Sequence, residues 1–448
     1  MILSPLKEFD SKKWLIAPVI FAFAALSPEY IAPVLAVFGL VYTLRQKKSG
    51  LNRPAYFIIG YAILIYIGWM IIGLTYTDHL LSGAANIVLW LFLFSGLWIC
   101  TQWLDSYRKI DVLIYAGCIA GGLCGLIGIL QMVLFHCAKD ISLMFNPFYR
   151  LLDLYIERLI NLLPDIIINK FPSTHFHTFA ARACGTFSNP LFFATYEIMM
   201  MPFAAYCFLN CKKKYRRIIG FFSLIFIIGG VACSYSRGPY LACTLTFAIL
   251  LSYGGKKSLK MVGTGMGLLA FALVFAGGVF KRLFTLTGEK DVSVSTRELI
   301  WAAVADKYGE SPVFGFGTGF ETVRRILSDT YGIKQPHAHN ILLEILLENG
   351  VIGVLLFIAA CMAFCLCVYK LIFKNSKSRS YAITFLASFA GFFMCGMTDC
   401  VFYGFKPLEY MMLILGVTQA CFNISFEKDD FKKTSDIFLS LNEKNSRR

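Results

Sequence analysis

Along the chain, long apolar runs alternate with short polar breaks. The runs cover roughly 14–26, 29–43, 55–74, 85–101, 112–136, 190–209, 217–233, 239–253, 260–280, 351–369, 381–398 and 407–423. A bilayer core about 30 Å thick needs about 20 apolar residues per helix. The pattern therefore predicts an all-α integral membrane protein with about twelve transmembrane helices. The first two runs are short and separated only by Ser27, Pro28 and Glu29. They read either as a helical hairpin or as one broken element. Two long segments interrupt the rhythm, 137–189 and 281–340. The expected organisation is a polytopic domain over 1–426 and a polar, poorly ordered tail over 427–448.

Composition agrees with this class. Hydrophobic residues make up 57% and charged residues only 15%, whereas about a quarter of a soluble domain is charged. A net charge of +15 raises the question of nucleic acid, and its distribution answers it. With the N-terminal lysines inside, the alternation of sides puts every compact basic cluster inside as well. These are Arg45 to Arg53, Arg108–Lys109, Lys212 to Arg217, Lys256 to Lys260, Lys370 to Arg379 and the tail. Such a bias is the positive-inside rule. It predicts cytoplasmic termini and both long segments on the outer side, with no nucleic-acid partner. The fifteen cysteines lie mostly in apolar runs as small packing residues. Cys137, Cys184 and Cys400 fall near the outer side, where any two could pair. No cleavage site follows the first apolar run, which reads as a retained anchor.

Long outer loops between tight spans usually carry function. In the first, LLDLYIERLINLL has a short amphipathic pattern suited to the membrane surface. His175 and His177 follow at i and i+2 without a third ligand, which favours a solvated loop over a metal site. Three arginines stand out at the outer face: Arg182 before GTFSNP, Arg237 in SYSRGPY and Arg297 in VSTRELIW. Guanidinium forks bind phosphate oxygens bidentately and keep their charge. Arg237 is the most telling, because one run ends and the next begins around it, and an arginine held there is costly without a partner. The most informative stretch is PHAHNILLEILLENGVIGVLLFI. Glu344 and Glu348 share a helical face, and Asn349-Gly350 resembles a helix stop. Residues 340–349 are thus expected as a short interfacial helix, with the span starting near Val351. His339 at its N-terminus sits where the helix dipole favours a neutral imidazole, which suits a general base. GFGTGF (315–320) lacks a βαβ context, so it is expected as a tight loop with close backbone approach rather than a dinucleotide site, with helix resuming at Glu321.

His339-Asn340, nine residues, Gly350, two residues and Gly353 resemble the signature of the O-antigen ligase family of membrane enzymes. RACGTFSNPLFFATYEIMMMP, CSYSRGPYLA and STRELIWAAVADKYGESPVFGFGTGF resemble its other blocks in order, so the likeness spans about 180–370. It implies a GT-C-like glycosyltransferase that inverts the anomeric centre and needs no metal or other cofactor. The donor would be a glycan on undecaprenyl diphosphate, and the acceptor a hydroxyl of the lipid A core. His339 would be the base, with His337 and Asn340 as assisting residues. Arg182, Arg237 and Arg297 would bind the diphosphate as it leaves. Polymerases joining O-antigen, capsule or exopolysaccharide repeat units share these features and are the nearest alternative. A transporter or flippase would place ionisable groups at the bilayer midplane, whereas the notable groups here cluster at one face.

Overall fold

The computed structural model describes residues 13–27, 31–46, 56–138, 182–275 and 292–445. These residues form helices and no strand. A short 3₁₀ turn leads into α1 (Ile16–Leu26), followed by α2 (Ile31–Gln46), α3 (Ile58–Gly73), α4 (Leu80–Trp103) and α5 (Tyr107–Ala138). Next come α6 (Pro190–Asn210), α7 (Lys214–Cys233), α8 (Arg237–Leu250) and α9 (Gly255–Phe275). The chain continues with α10 (Val292–Tyr308), α11 (Phe320–Arg325), α12 (Ile341–Lys374), α13 (Ser376–Gly396) and α14 (Phe405–Asn445). The described part of each of the twelve apolar runs falls on helix. Among the described residues, six are long and apolar enough to cross a membrane: α4, α5, α6, α7, α12 and α14.

Burial sorts the helices into a centre and a rim. The apolar part of α14 is wholly enclosed and α6 nearly so, whereas α7 and α12 leave more than half of their apolar stretch uncovered. Around the centre, α7 packs on α5 and α6, α13 packs on α6 and α8, and α12 packs on α3 and α13. The uncovered rim carries Tyr61, Leu81, Leu366, Tyr369 and Phe373. Apolar surface of this extent is what hydrocarbon, not water, tolerates. Asparagines start three of the helices. Asn189 accepts from the Leu191 N–H ahead of Pro190. Asn340 caps α12 through the N–H groups of Leu342 and Leu343. Asn375 caps α13 through that of Ser378. Each side chain satisfies donors that a helix start leaves open.

Several expectations are corrected. Within the segment 281–340 the described residues hold α10, a π-turn at Ile326–Thr330 and α11, which begins at Phe320, next to the expected Glu321. From about Glu427 the polar tail is continuous with α14, which runs to Asn445. Glu344 and Glu348 are buried inside the protein, at 3% and 6% exposure, rather than facing the membrane interface. Cys184 and Cys400 are both free, buried thiols. LLDLYIERLINLL, His175 and His177 lie outside the described residues, as does the side chain of Cys137.

The expected stop at Asn349-Gly350 is a sharp break within α12. Gly350 adopts φ 64° and ψ −169°, a conformation that favours glycine. The break frees two carbonyls above it and two N–H groups below it, all inside the protein. The Gly-rich loop pairs with all four. Phe316 N–H donates to Leu347 O (2.8 Å) and Gly317 N–H to Glu348 O (2.9 Å). Val351 N–H donates to Pro312 O (3.0 Å) and Ile352 N–H to Val313 O (3.4 Å). Thr318 Oγ1 adds a 2.6 Å bond to Asn349 Oδ1. A Cβ on Gly350 would lie 2.1 Å from Val313 O. Gly350→Ala therefore incurs both backbone strain and a clash, and should lower stability by about 2–4 kcal/mol. Gly263→Ala, where a Cβ meets open space, should be neutral or slightly stabilising. Thermal unfolding of the detergent-solubilised variants checks the pair.

Candidate functional site

The antiparallel helices bring six termini to one end of the bundle: the starts of α6, α8, α12 and α14, and the ends of α7 and α13. His337 and His339 lie on the segment just before α12, and its backbone is fixed from three directions. Glu344 Oε2 accepts the Ala338 N–H at 2.6 Å. Trp301 Nε1, on α10, donates to Ala338 O at 3.1 Å. Asn340 Nδ2 reaches Met397 O at the end of α13 (3.2 Å). Glu344 Oε1 in turn accepts from Tyr403 O–H (2.7 Å), and the Tyr403 ring lies 5.1 Å from that of His337. The burial of Glu344 thus has a use, since it clamps the histidine segment from below. Held in this way, His339 adopts φ 52°. The one other non-glycine residue with positive φ among the described residues is Tyr235 (φ 49°), in the SYSRGP turn at the same end. Strain of this kind persists only where surrounding contacts impose it.

Asp399, just beyond α13, joins the two histidines. Its Oδ1 lies 3.0 Å from His339 Nδ1, 3.5 Å from His337 Nε2 and 2.8 Å from the Cys400 N–H, which donates to it. Burial alone would raise this carboxyl. The hydrogen bond from His339, the charge effects of both histidines and the Cys400 N–H outweigh it and hold Asp399 below the usual carboxylate range. An ionised carboxylate only accepts, so the proton of His339 sits on Nδ1. Nε2 of His339 is then the lone-pair nitrogen; Gln335 Oε1, 3.4 Å away, is also an acceptor and makes no hydrogen bond to it in this tautomer. His337 has the opposite tautomer. Its Nδ1 accepts the His339 backbone N–H (3.2 Å), which leaves the proton on Nε2 toward Asp399. Burial pushes the His337 imidazole down to about 4, helped by the charges of His339 and Arg297 and opposed by Asp399.

The arginine-bearing segments reach the same place. Arg182 donates through Nε to Ser234 O (3.0 Å) and through Nη2 to Ser236 Oγ (2.6 Å). It therefore braces the turn whose next residue, Arg237, opens α8. Gln131 fixes the strand of chain behind it, accepting the N–H groups of Cys184 and Gly185. Gly238 packs so closely on Thr398 that a Cβ would come within 2.0 Å of its Oγ1. That contact seats the Arg237 turn against the neighbour of Asp399. Arg297 projects from α10 one helical turn before Trp301, and its charge reaches His337. The structure brings His337, His339 and Asn340 together, sets the charge of Arg297 against His337, and seats the turn that bears Arg237, braced by Arg182, beside Thr398. Sequence reasoning missed Asp399, Tyr403, Gln335 and Trp301. A signal for Asp399 existed: it is an acid directly after an apolar run, in a short break beside the noted Cys400.

His337, His339 and Asp399 each offer a ligand atom within 4.8 Å of the others, a spacing that a metal ion could also use. Two imidazoles and a carboxylate are a reasonable donor set for several divalent ions. The tautomers above instead leave one basic nitrogen, Nε2 of His339, supported by a partly buried carboxylate. The molecule is thus a helical membrane protein with a carboxylate–imidazole site flanked by arginines.

Residues 222–358 match the sequence profile of a family described as O-Antigen ligase. The matched part holds Arg237, Arg297, His337, His339 and Gly350. The chain is 29% identical over 195 residues to an O-antigen ligase of Pseudomonas aeruginosa, covering 43% of this chain and 44% of that protein. It is 33% identical over 113 residues to a putative polysaccharide ligase of Rickettsia conorii, covering 23% and 26%. The chain therefore matches less than half the length of these curated relatives. The matched segments are thus similar to O-antigen and polysaccharide ligases, over part of the chain.

The His337 environment has a consequence for stability. In the folded protein this imidazole takes its proton near pH 4, whereas an unfolded histidine does so near pH 6.5. Between those values the unfolded state binds more protons, so stability falls as pH drops through the window. Asp399, held low, contributes above its unfolded value of roughly 3.9 and loses that contribution only at more acid pH. The unfolding temperature should fall between pH 7 and pH 5, and His337→Gln should flatten that fall. An identical slope in the variant would assign the titration to another group.

Proposed function

We propose that the protein transfers a glycan from undecaprenyl diphosphate to a sugar hydroxyl of the lipid A core. The reaction is a single, metal-independent displacement at the outer face of the cytoplasmic membrane. The observation that carries this reading is the Asp399–His339 pair, 3.0 Å apart. It commits Nδ1 of His339 and leaves Nε2 to take a proton. The acceptor hydroxyl gives its proton to Nε2 as its oxygen bonds to the anomeric carbon. The bond from that carbon to the diphosphate oxygen breaks, and its electron pair leaves with the diphosphate. One displacement inverts the anomeric centre. Asp399 stabilises the imidazolium that forms, as the carboxylate does in other carboxylate–histidine pairs.

Charge grows on the diphosphate as it leaves, so cations placed there act most strongly in the transition state. Arg237 and Arg297 are the cations assigned to this role. Arg182 acts through the Ser234–Ser236 turn that it holds. His337 and Asn340 position His339, the first through Asp399 and the second through the α12 cap. The region assigned to this chemistry is about 180–370, extended by the Asp399 loop.

Purified protein, a lipid-diphosphate glycan and a core oligosaccharide acceptor test the reading. His339→Ala should lower turnover by about 10²–10⁴-fold and spare donor binding. Asp399→Asn should also lower turnover, while Arg237→Ala should weaken donor binding as well. Full transfer by both His339→Ala and Arg237→Ala would refute the site. Chelator should leave the rate unchanged, and a loss restored by a divalent ion would make the histidines and Asp399 metal ligands. Use of a lipid-linked repeat unit in place of the core acceptor would identify a polymerase.

A further inference from the structure

The end of the bundle opposite the histidines carries a second recognisable feature. There α6 ends at Asn210, α7 begins at Lys214 and α9 begins at Gly255. Between these three helices runs an open groove of about 180 Å³. Phe208, Phe221, Ile228 and Met261 form its apolar walls, and Lys257 and Lys260 stand at its rim. Lys257 is not a loose surface lysine. Its Nζ donates to Phe208 O (3.2 Å) and Leu209 O (3.4 Å) at the end of α6, over the Phe208 ring. An ammonium carries three donors, so this arrangement leaves one to aim outward.

The rim is basic throughout. Lys212, Lys213, Lys214, Arg216, Arg217, Lys256, Lys257 and Lys260 lie on its two connections, and no Asp or Glu occurs between Glu197 and Glu289. The charge of Arg217 reaches Lys257. Asp111, on neighbouring α5, is occupied by Tyr206, Tyr381 and Lys377. A basic rim above an apolar slot asks for a ligand with an anionic head and a hydrocarbon chain. A soluble phosphate compound would leave the slot unused, and a neutral lipid would leave the charge unused.

We propose that this groove binds one anionic phospholipid, with its phosphate on Lys257 and Lys260 and an acyl chain along Phe208, Phe221, Ile228 and Met261. Basic pockets between membrane helices recognise such headgroups. The site lies at the far end of α6 from Asn189, about 30 Å along a helix of this length. It is independent of the transfer reaction proposed above.

The test uses the full-length protein in detergent, with phosphatidylglycerol or phosphatidylcholine added and bound lipid read by native mass spectrometry. Wild-type protein should retain one phosphatidylglycerol in preference to phosphatidylcholine. Two lysines at about 1 kcal/mol each correspond to roughly 30-fold weaker binding in the Lys257→Gln, Lys260→Gln double variant. Thr264→Trp, at an exposed groove position, fills the slot with both lysines intact and should also abolish retention. Lys377→Gln, in a different basic connection, should bind as wild type. Circular dichroism confirms that each variant is folded. Equal retention of the two lipids, unchanged binding in both groove variants, or displacement by equimolar glycerol 3-phosphate would overturn the proposal.

Discussion

The break in α12 at Gly350 is the constraint on which the site depends. A continuous helix through this point would satisfy its own backbone. The break opens four buried polar groups, and only the loop over Pro312–Gly317 supplies their partners. In an apolar surrounding each unsatisfied group costs several kcal/mol, so the loop and the break require one another. Their union holds the Gly-rich loop on the turn that carries Glu348 and Asn349, one turn beyond Glu344. From there Glu344 reaches the Ala338 N–H and Tyr403. A glycine in the first third of α12 thereby sets the backbone that presents the two histidines.

Electrostatics builds on that frame. Two imidazoles share one carboxylate oxygen, and opposite tautomers give them different tasks. His337, buried and kept neutral near physiological pH, donates toward Asp399 and accepts from the backbone of His339. His339 keeps one nitrogen for chemistry. Arginine is the cation that such a site can keep charged at any working pH. Arg237 and Arg297 come from helices remote in sequence, and Arg182 serves them by bracing a turn. The two ends of the bundle are chemically distinct, one mixed and strained, the other uniformly basic above an apolar groove.

Much of this was legible in the chain. Apolar runs located the helices because hydrocarbon demands length and hydropathy that few other settings do. Asn349-Gly350 announced its stop, and the histidine and arginine motifs named most of the site. Within 281–340 the helix α10 is not legible in the sequence, because its apolar periodicity is weak beside that of the spans. Glu344 and Glu348 were read as interfacial because two acids on one face usually seek water. Here Glu344 is enclosed by the Ala338 amide and the Tyr403 hydroxyl, which replace water.

What the sequence by itself determined was class, helix positions and the chemical types at the site, since those follow from local hydropathy, spacing and motif. Which residues meet was decided by the tertiary structure alone. Asp399 lies 60 positions from His339, and Gly238 meets Thr398 across 160 positions of chain. Such contacts arise where helices from distant parts of the chain end together, and no local pattern encodes them. The partner that fixes the proton on His339 is therefore a product of packing, whereas the histidine itself could be read from the motif.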